Sequence, residues 1–297
     1  MNMSPIDDHK FLFAALPTGE ARNDHSATRI ENSLDISIVY DVTLSVIAPC
    51  FNEDGNVDAL ADRTLATFDG MGLDGELILI DDGSEDGTWD RIRSRAKADR
   101  RVRGQRQHAN FGIEAAWQKG LQVARGHLVC LIDSDLQNRP EDIARLFKAY
   151  VQHVPDFVQA VRQPVQGLRR RRLFSRGLNL LLNVTFGTRL RDNKSGFVLG
   201  RKSSILPLLE HRNSYRYFQS FIGAAAAVRG YSIVEVDTDF EQRQAGNSFL
   251  SRFPVMVSAR IVWELAKYRA ETWQLSREKR GQVDWFGSAL GLQGSGS

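Results

Sequence analysis

Residues 127–141 read HLVCLIDSDLQNRPE, and how this stretch is read decides the fold. Residues 127–132 form an apolar run with the length of a buried strand. Two acids, Asp133 and Asp135, follow at once. Neither carboxylate is cheap to bury, and the two repel each other unless a cation is held nearby. The pair is therefore a solvated turn or a set of oxygen donors. Pro140 then stands at a first helical position with Glu141 and Asp142 behind it, so a helix is expected next.

The same grammar recurs upstream. TLSVIA (43–48) is a strand ending at Pro49. A helix is expected over 53–67, with Val57, Leu60, Ala61 and Leu65 on one face. ELILI (76–80) is a second buried strand and ends in DDGSEDGT, where Ser84 or Asp86 is placed to cap the following helix. A weaker strand near 102–106, a helix over 111–124 and a strand over 157–161 complete a β-α-β-α-β-α-β order. That order predicts a parallel sheet covered on both faces, which gathers ligands at the carboxyl ends of its strands. Three strand ends carry distinctive polar groups: Asn52 and Glu53, Asp81 and Asp82, Asp133 and Asp135. Their convergence on one edge weighs more than any single acid pair.

Past residue 165 the pattern changes. Arg169, Arg170, Arg171 and Arg172 are consecutive, with Arg176 close behind, and lead into an apolar helix over 173–187. RDNKSGFVLGRK (191–202), a helix over 215–229, a strand over 231–236, DFEQRQAGNS (239–248) and an amphipathic helix over 250–275 follow. The expected organisation is a mobile or loosely docked arm (1–42), one catalytic-type domain (43–248) with halves at 43–160 and 161–248, a helix within 249–280, and a tail (281–297).

Composition narrows the classes. The chain has 297 residues, 42% hydrophobic and 25% charged, with a net charge of +3, which fits one large α/β domain and argues against whole-chain disorder or generic nucleic-acid binding. The two cysteines, Cys50 and Cys130, lie in apolar runs and read as buried thiols in a reducing cytosol; no CxxC pattern points to zinc. FLFAAL (11–16) is too short for a signal h-region. The longest candidate span, 249–269, is interrupted by Arg252, Pro254, Arg260, Glu264 and Lys267. No GxxxxGK[ST] occurs, and no GxGxxG follows the first strand, which disfavours a P-loop ATPase and a dinucleotide oxidoreductase.

An Asp-x-Asp after a strand can present oxygens to magnesium or manganese, which keep water and add substrate phosphates. Such an ion neutralises a diphosphate leaving group. Glu53 can accept from ribose hydroxyls and Asp81 or Asp82 from a base N–H; helix capping and Asx-turns are the competing readings.

Taken together, SVIAPCFNE (45–53), LILIDDGSEDGT (77–88), the NFG of HANFGIEAAWQKGL (108–121) and LVCLIDSDLQNRPE (128–141) resemble the nucleotide-sugar domain of family 2 glycosyltransferases. RLRDNKSGFVLGRK (189–202) and FEQRQAGNS (240–248) resemble the dolichyl- and polyprenyl-phosphate sugar synthase branch. The resemblance implies the type A glycosyltransferase fold, a Rossmann-like, mainly parallel sheet. It also implies Mg2+ or Mn2+, a UDP- or GDP-sugar donor, and inversion at the anomeric carbon. Carried over by position, Pro49, Phe51 and Glu53 would line the nucleoside site, with Asn110 and Gly112 of the NFG beside it, and Asp82 would face the base, with Asp81 a further substrate-binding candidate. Asp133 and Asp135 would serve ribose, diphosphate and metal, with Asp135 the firmer ligand, and Gln137 would lie beside the donor sugar or acceptor. Ser195 and Gly196 would shape the acceptor loop, and Arg243 and Ser248 would bind phosphate oxygens. Two substitutions depart from the family pattern: Arg139 stands where a proline is usual, and Phe249 follows the serine of RxxGxS where lysine is common.

The acceptor is read from an absence and a charge. Many relatives of this family carry a Glu-Asp pair on a helix near the acceptor, whereas the matching residues 213–230 contain no carboxylate. A lipid phosphate is already ionised and needs little help from a base; His211 and Asp192 are the substitutes if one is needed. The arginine run fits an acceptor phosphate or an anionic membrane surface, at about 1 kcal/mol per basic residue, or else a solvated loop. Leu178, Leu180, Leu181, Leu182, Val184 and Phe186 make the next helix apolar on nearly all sides, against a lipid or a second subunit. The final helix poses the same choice between interfacial anchor and homodimer surface. The expectation is a transferase peripheral to the cytoplasmic face of the membrane, acting on a polyprenyl phosphate or a related lipid. The rivals are transfer to a hydroxyl of a glycan, lipid or small molecule, and a non-catalytic nucleotide-sugar-binding protein.

Overall fold

A computed structural model describes residues 43–162, 169–193, 195–210, 215, 218–241, 260, 263, 264 and 266–271. Within them the apolar runs become strands and the 3.6-period segments between become helices. β1 (Leu44–Cys50), β2 (Gly75–Asp81), β3 (Val102–Arg106) and β4 (Leu128–Leu131) alternate with α1 (Val57–Met71), α2 (Thr88–Ala98) and α3 (Ile113–Val123). α4 (Ile143–His153), β5 (Phe157–Arg162), α5 (Arg169–Phe186), β6 (Val198–Arg201), α6 (Lys202–Leu209), α7 (Ile222–Val228) and β7 (Ile233–Thr238) follow.

The sheet has seven strands in the order β3-β2-β1-β4-β6-β5-β7. β1 pairs in parallel with β2 and β4, and β5 with β7, while β6 runs antiparallel between β4 and β5. β1 is buried along its whole length, and its residues alternate between two cores. Ile47 packs with Trp117 and Leu121 of α3; Val46 and Ala48 pack with Leu60, Ala61 and Phe68 of α1. The sheet is thus mainly parallel and covered on both faces, as expected.

Several boundaries differ from the periodicity. α1 starts at Val57 rather than near 53, because the Glu53 carbonyl accepts the N–H groups of Asn56 and Val57 and forms the entering turn. It stops at Gly72, whose φ of 61° needs no Cβ accommodated. Ser84 does not cap α2; its hydroxyl accepts from Asn52 N instead, and Asp86 takes the N–H of Thr88 at 3.0 Å. Pro140 opens a 3-10 turn (Pro140–Asp142) before α4 begins. The helix expected over 215–229 is a 3-10 turn (Phe218–Phe221) followed by α7, broken where Phe221 takes φ −147°. β6 and α6, inside and after the SGF segment, carry no strong periodic signal of their own. The expected arm, residues 1–42, and most of the final helix lie outside the described residues.

α5 packs Leu182 and Phe186 inward and leaves Leu180, Leu181 and Val184 exposed. The described part of the final helix buries Tyr268 among Tyr215, Phe218, Phe221 and Phe186, with ring centroids 5.5 to 6.4 Å away. Among the described residues, no helix is long and apolar enough to cross a membrane.

Candidate active site

Strands running the same way end on the same edge, so topology alone brings the three polar strand ends together. Cys50 of β1 is in register with Asp81 of β2, and Ile47 with Leu131 of β4. Pro49 is buried within β1, while Phe51, just past its end, is exposed and lines a cleft of about 740 Å3. Gly83, Ser84, Glu85, Arg106, Gln107, His108, Ala109 and Asn110 form the rest of its wall. His108 and Phe111 meet edge to face at 4.8 Å, which stiffens the outer loop.

Beneath this cleft the two acids of DDGS have separate tasks. Asp81, fully buried, accepts from Ser84 N at 3.0 Å and pairs with Arg106 at 2.9 Å. Asp82 accepts from the backbone N–H groups of Phe111 and Gly112 and from Gln107 Nε2, each at 2.8 Å. Burial pushes its carboxyl up, and the three donors pull it back without cancelling that. Gly112, at φ 92°, turns the chain so that its N–H reaches Asp82. The structure thus gives Asp82 a definite job, tying the NFG loop to the end of β2. Glu53 accepts from the Asn56 side chain and donates its own N–H to Thr88 Oγ1 at 2.8 Å, so the β1 end is tied to the start of α2.

The Asp133–Gln137 turn lies at the end of β4. Leu136 sits in the left-handed region at φ 60° with its side chain buried, and Gln137 N donates to Asp135 Oδ1 at 3.1 Å. Asp133 accepts from Gln219 Nε2 at 2.6 Å and Asn138 Nδ2 at 3.2 Å. Arg162 grips Asp192 with both arms of its fork, at 2.7 and 3.0 Å, and stands against the Phe240 ring at 5.5 Å.

Gly196 explains how Gln219 gets so close. A Cβ there would stand 2.6 Å from Gln219 Cγ. Ser195 is buried, and its carbonyl accepts from Gln159 Nε2 at 3.0 Å. The SGF segment thus backs the Gln219 side chain that bonds Asp133. Arg243 and Ser248, like His211, lie outside the described residues. The last described residue before them, Glu241, donates its N–H to Gln137 O at 2.8 Å. Neither Gln219 nor Arg162 announces itself locally: one sits in an aromatic stretch, the other at the end of a strand, and only the fold sets Gln219 on Asp133 and Arg162 on Asp192.

Among the described residues no three His, Cys, Asp or Glu side chains gather into one ligand cluster. The donor set that does exist is all oxygen, Asp133 and Asp135 on one turn, and it suits a hard divalent ion that completes its shell with water and phosphate.

A family model described as glycosyl transferase family 2 matches residues 45–206. An undecaprenyl-phosphate 4-deoxy-4-formamido-L-arabinose transferase of Edwardsiella ictaluri is 31% identical over 253 residues, covering 84% of this chain and 73% of that protein. A transferase of the same description from Aeromonas hydrophila is 31% identical over 214 residues, 68% of this chain and 64% of that one. A dodecaprenyl-phosphate galacturonate synthase of Rhizobium johnstonii is 30% identical over 232 residues, 76% and 66% of the two chains. The matched stretch thus spans from 64% to 73% of these relatives' length. In fold, the chain resembles the Mycobacterium tuberculosis glucosyl-3-phosphoglycerate synthase solved with Mn2+, UDP and glucosyl-3-phosphoglycerate, with a TM-score of 0.56 at 21% identity over 76% of this chain and 80% of that one. The same enzyme with phosphoglyceric acid gives a TM-score of 0.58 at 22% identity, with the same coverage. The architecture is the type A glycosyltransferase fold, and the chain belongs to glycosyl transferase family 2, among relatives named as polyprenyl-phosphate sugar transferases.

Proposed function

We propose that the protein is a metal-dependent, inverting glycosyltransferase that moves a sugar from a UDP- or GDP-sugar to a polyprenyl phosphate. The observation that carries this is the single carboxyl-end edge holding the Phe51 cleft, the Asp82 anchor and the Asp133–Asp135 turn. In this reading the nucleoside occupies the cleft between Phe51 and residues 106–110. Asp133 and Asp135 would hold Mg2+ or Mn2+, which would supply positive charge opposite the nucleoside diphosphate. Gln219 and Asn138 fix the orientation of Asp133, so the acids need not reorganise when donor binds.

Gln137 faces the donor sugar or acceptor, and Ser195 and Gly196 shape the acceptor side. Arg243 and Ser248 take phosphate oxygens. Glu241, the last described residue before them, is bonded to Gln137. Asp192, one substitute base, has both carboxylate oxygens engaged by the Arg162 fork. That favours an acceptor that arrives ionised. The exposed apolar side of α5, at Leu180, Leu181 and Val184, supports an encounter with a lipid-bearing surface, and the named relatives act on polyprenyl phosphates.

Incubation with labelled UDP- and GDP-sugars, Mn2+ and a polyprenyl phosphate tests the proposal. The expected product is an alkali-labile sugar phosphate ester of inverted configuration. An alkali-stable glycoside would reassign the acceptor to a hydroxyl, and nucleotide binding without any transfer would make the protein a binder. Asp135→Ala is expected to abolish Mn2+-dependent tightening of UDP or GDP binding in calorimetry; unchanged coupling removes the metal from Asp135.

A further inference from the structure

The segment Asp239–Glu241 crosses the turn that carries Asp133, Asp135 and Gln137, and charge holds much of it there. Phe240 bridges Asn138 in antiparallel fashion, and Glu241 N donates to Gln137 O. Asp239 N donates to Asp142 Oδ2 at 3.2 Å. Around this short ladder stand three arginines. Arg139 reaches Asp239 at 3.2 Å and Glu241 at 3.4 Å. Arg63, from α1, bonds Glu141 at 2.7 Å with two N–H groups and reaches Glu241 at 3.4 Å. Arg145 reaches Asp239 at 3.3 Å and Asp142 at 3.0 Å.

The turn under this strap is not one a chain adopts unaided. Leu136, a branched residue, is held at φ 60° and is 1% exposed. A non-glycine residue in that region costs on the order of 1 kcal/mol and persists only where its surroundings impose it. Arg139 sits at φ −77° and ψ 125°, a backbone that proline would also adopt. A proline there would stiffen the turn from within the chain. Arginine leaves the backbone free and substitutes tertiary ion pairs.

We infer that Arg139 is a positioning residue. It fastens the Asp239–Glu241 strap over the Asp133–Gln137 turn, so the alignment of the two acids depends on ionic strength. This inference concerns how the turn is held; its importance for donor binding rests on the proposed function above.

Amide hydrogen exchange across residues 133–138, in the full-length protein without nucleotide, tests the holding itself. Wild type is expected to exchange slowly at low salt and severalfold faster at high salt. Arg139→Ala is expected to exchange about threefold to tenfold faster than wild type at low salt and to lose the share of the salt dependence that its own pairs carry, while the Arg63–Glu241 and Arg145–Asp239 pairs keep the rest. Glu241→Gln, which acts from the strap side, is expected to change exchange in the same direction. Arg139→Pro is expected to stay slow and to respond less to salt than wild type, which separates loss of charge from loss of fold. Exchange in Arg139→Ala equal to wild type, or undiminished salt dependence in Arg139→Pro, overturns the inference. UDP and GDP binding in Mn2+ then reads the consequence. If exchange changes as stated while neither nucleotide binds the wild type, the donor-site reading fails and the strap stands.

Discussion

Gly196 has no side chain, and the Gln219 amide occupies the space a methyl group would take. Gly196→Ala is expected to push that amide off Asp133. The overpacking costs about 1–3 kcal/mol of stability. Loss of a hydrogen bond to a charged carboxylate should weaken nucleotide–Mn2+ binding about tenfold. Gln219→Ala alone should weaken binding without the stability loss. The double variant should recover stability but not affinity, as thermal melts and calorimetry would show; full recovery of affinity would mean that Gln219 does not orient Asp133. At this scale the sequence marked Gly196 and both acids by motif. It did not show that glycine, glutamine and aspartate form one contact, because they lie on segments far apart in the chain.

The strand and helix ends show how an element is fixed by partners beyond its own periodicity. Glu76, at the opposite end of β2 from the cleft, is fully buried and accepts from Ser45 Oγ, Arg125 N, Arg125 Nε and an Arg103 nitrogen at 2.7 to 3.0 Å. Burial pushes its carboxyl up, but these donors together outweigh that and hold it below the ordinary glutamate value. With a lowered pKa in the folded state, its contribution is present in full above the unfolded pKa and is lost as pH falls through the folded one. Glu76→Gln is expected to cost about 3 kcal/mol near pH 7, since two arginines lose their counter-charge. It should also flatten the fall in stability below about pH 4.5, the region where an unfolded glutamate takes up its proton. Urea titrations at pH 7 and pH 4 measure both; a constant difference between wild type and variant at the two pH values would contradict the assignment. Periodicity located this strand correctly but gave no sign of its anchor, whose donors come from β1, β3 and the residues leading into β4.

For the whole molecule, the aromatic cluster ties the described part of the final helix to the sheet domain. Tyr268 is fully buried against Tyr215, Phe218 and Phe221, and Tyr215 OH donates to Glu271 at 2.6 Å. Tyr268→Ala should cost about 3–5 kcal/mol, the range for removing a large buried aromatic. A shifted urea midpoint would show it, and loss below about 1 kcal/mol would mean the helix is not part of the cooperative unit. The sequence left this helix between membrane anchor and dimer surface. The structure commits at least the Tyr268 face to the core of its own chain, while Trp263 remains 60% exposed.

What the sequence determined by itself follows from local rules. Apolar runs of strand length alternating with helical periodicity fixed a mainly parallel, doubly covered sheet, and parallel strands place their ends on one edge. Polar residues at those ends therefore had to converge, and the ordered motifs identified the family. Only the tertiary structure decided how the convergent groups are held. It set Asp82 on the NFG backbone, Gln219 on Asp133, Arg162 on Asp192, and Arg139 across to the strap. It also ran β6 antiparallel through the sheet. These are contacts between residues distant in sequence, governed by distance and charge in three dimensions, and no window along the chain contains both partners.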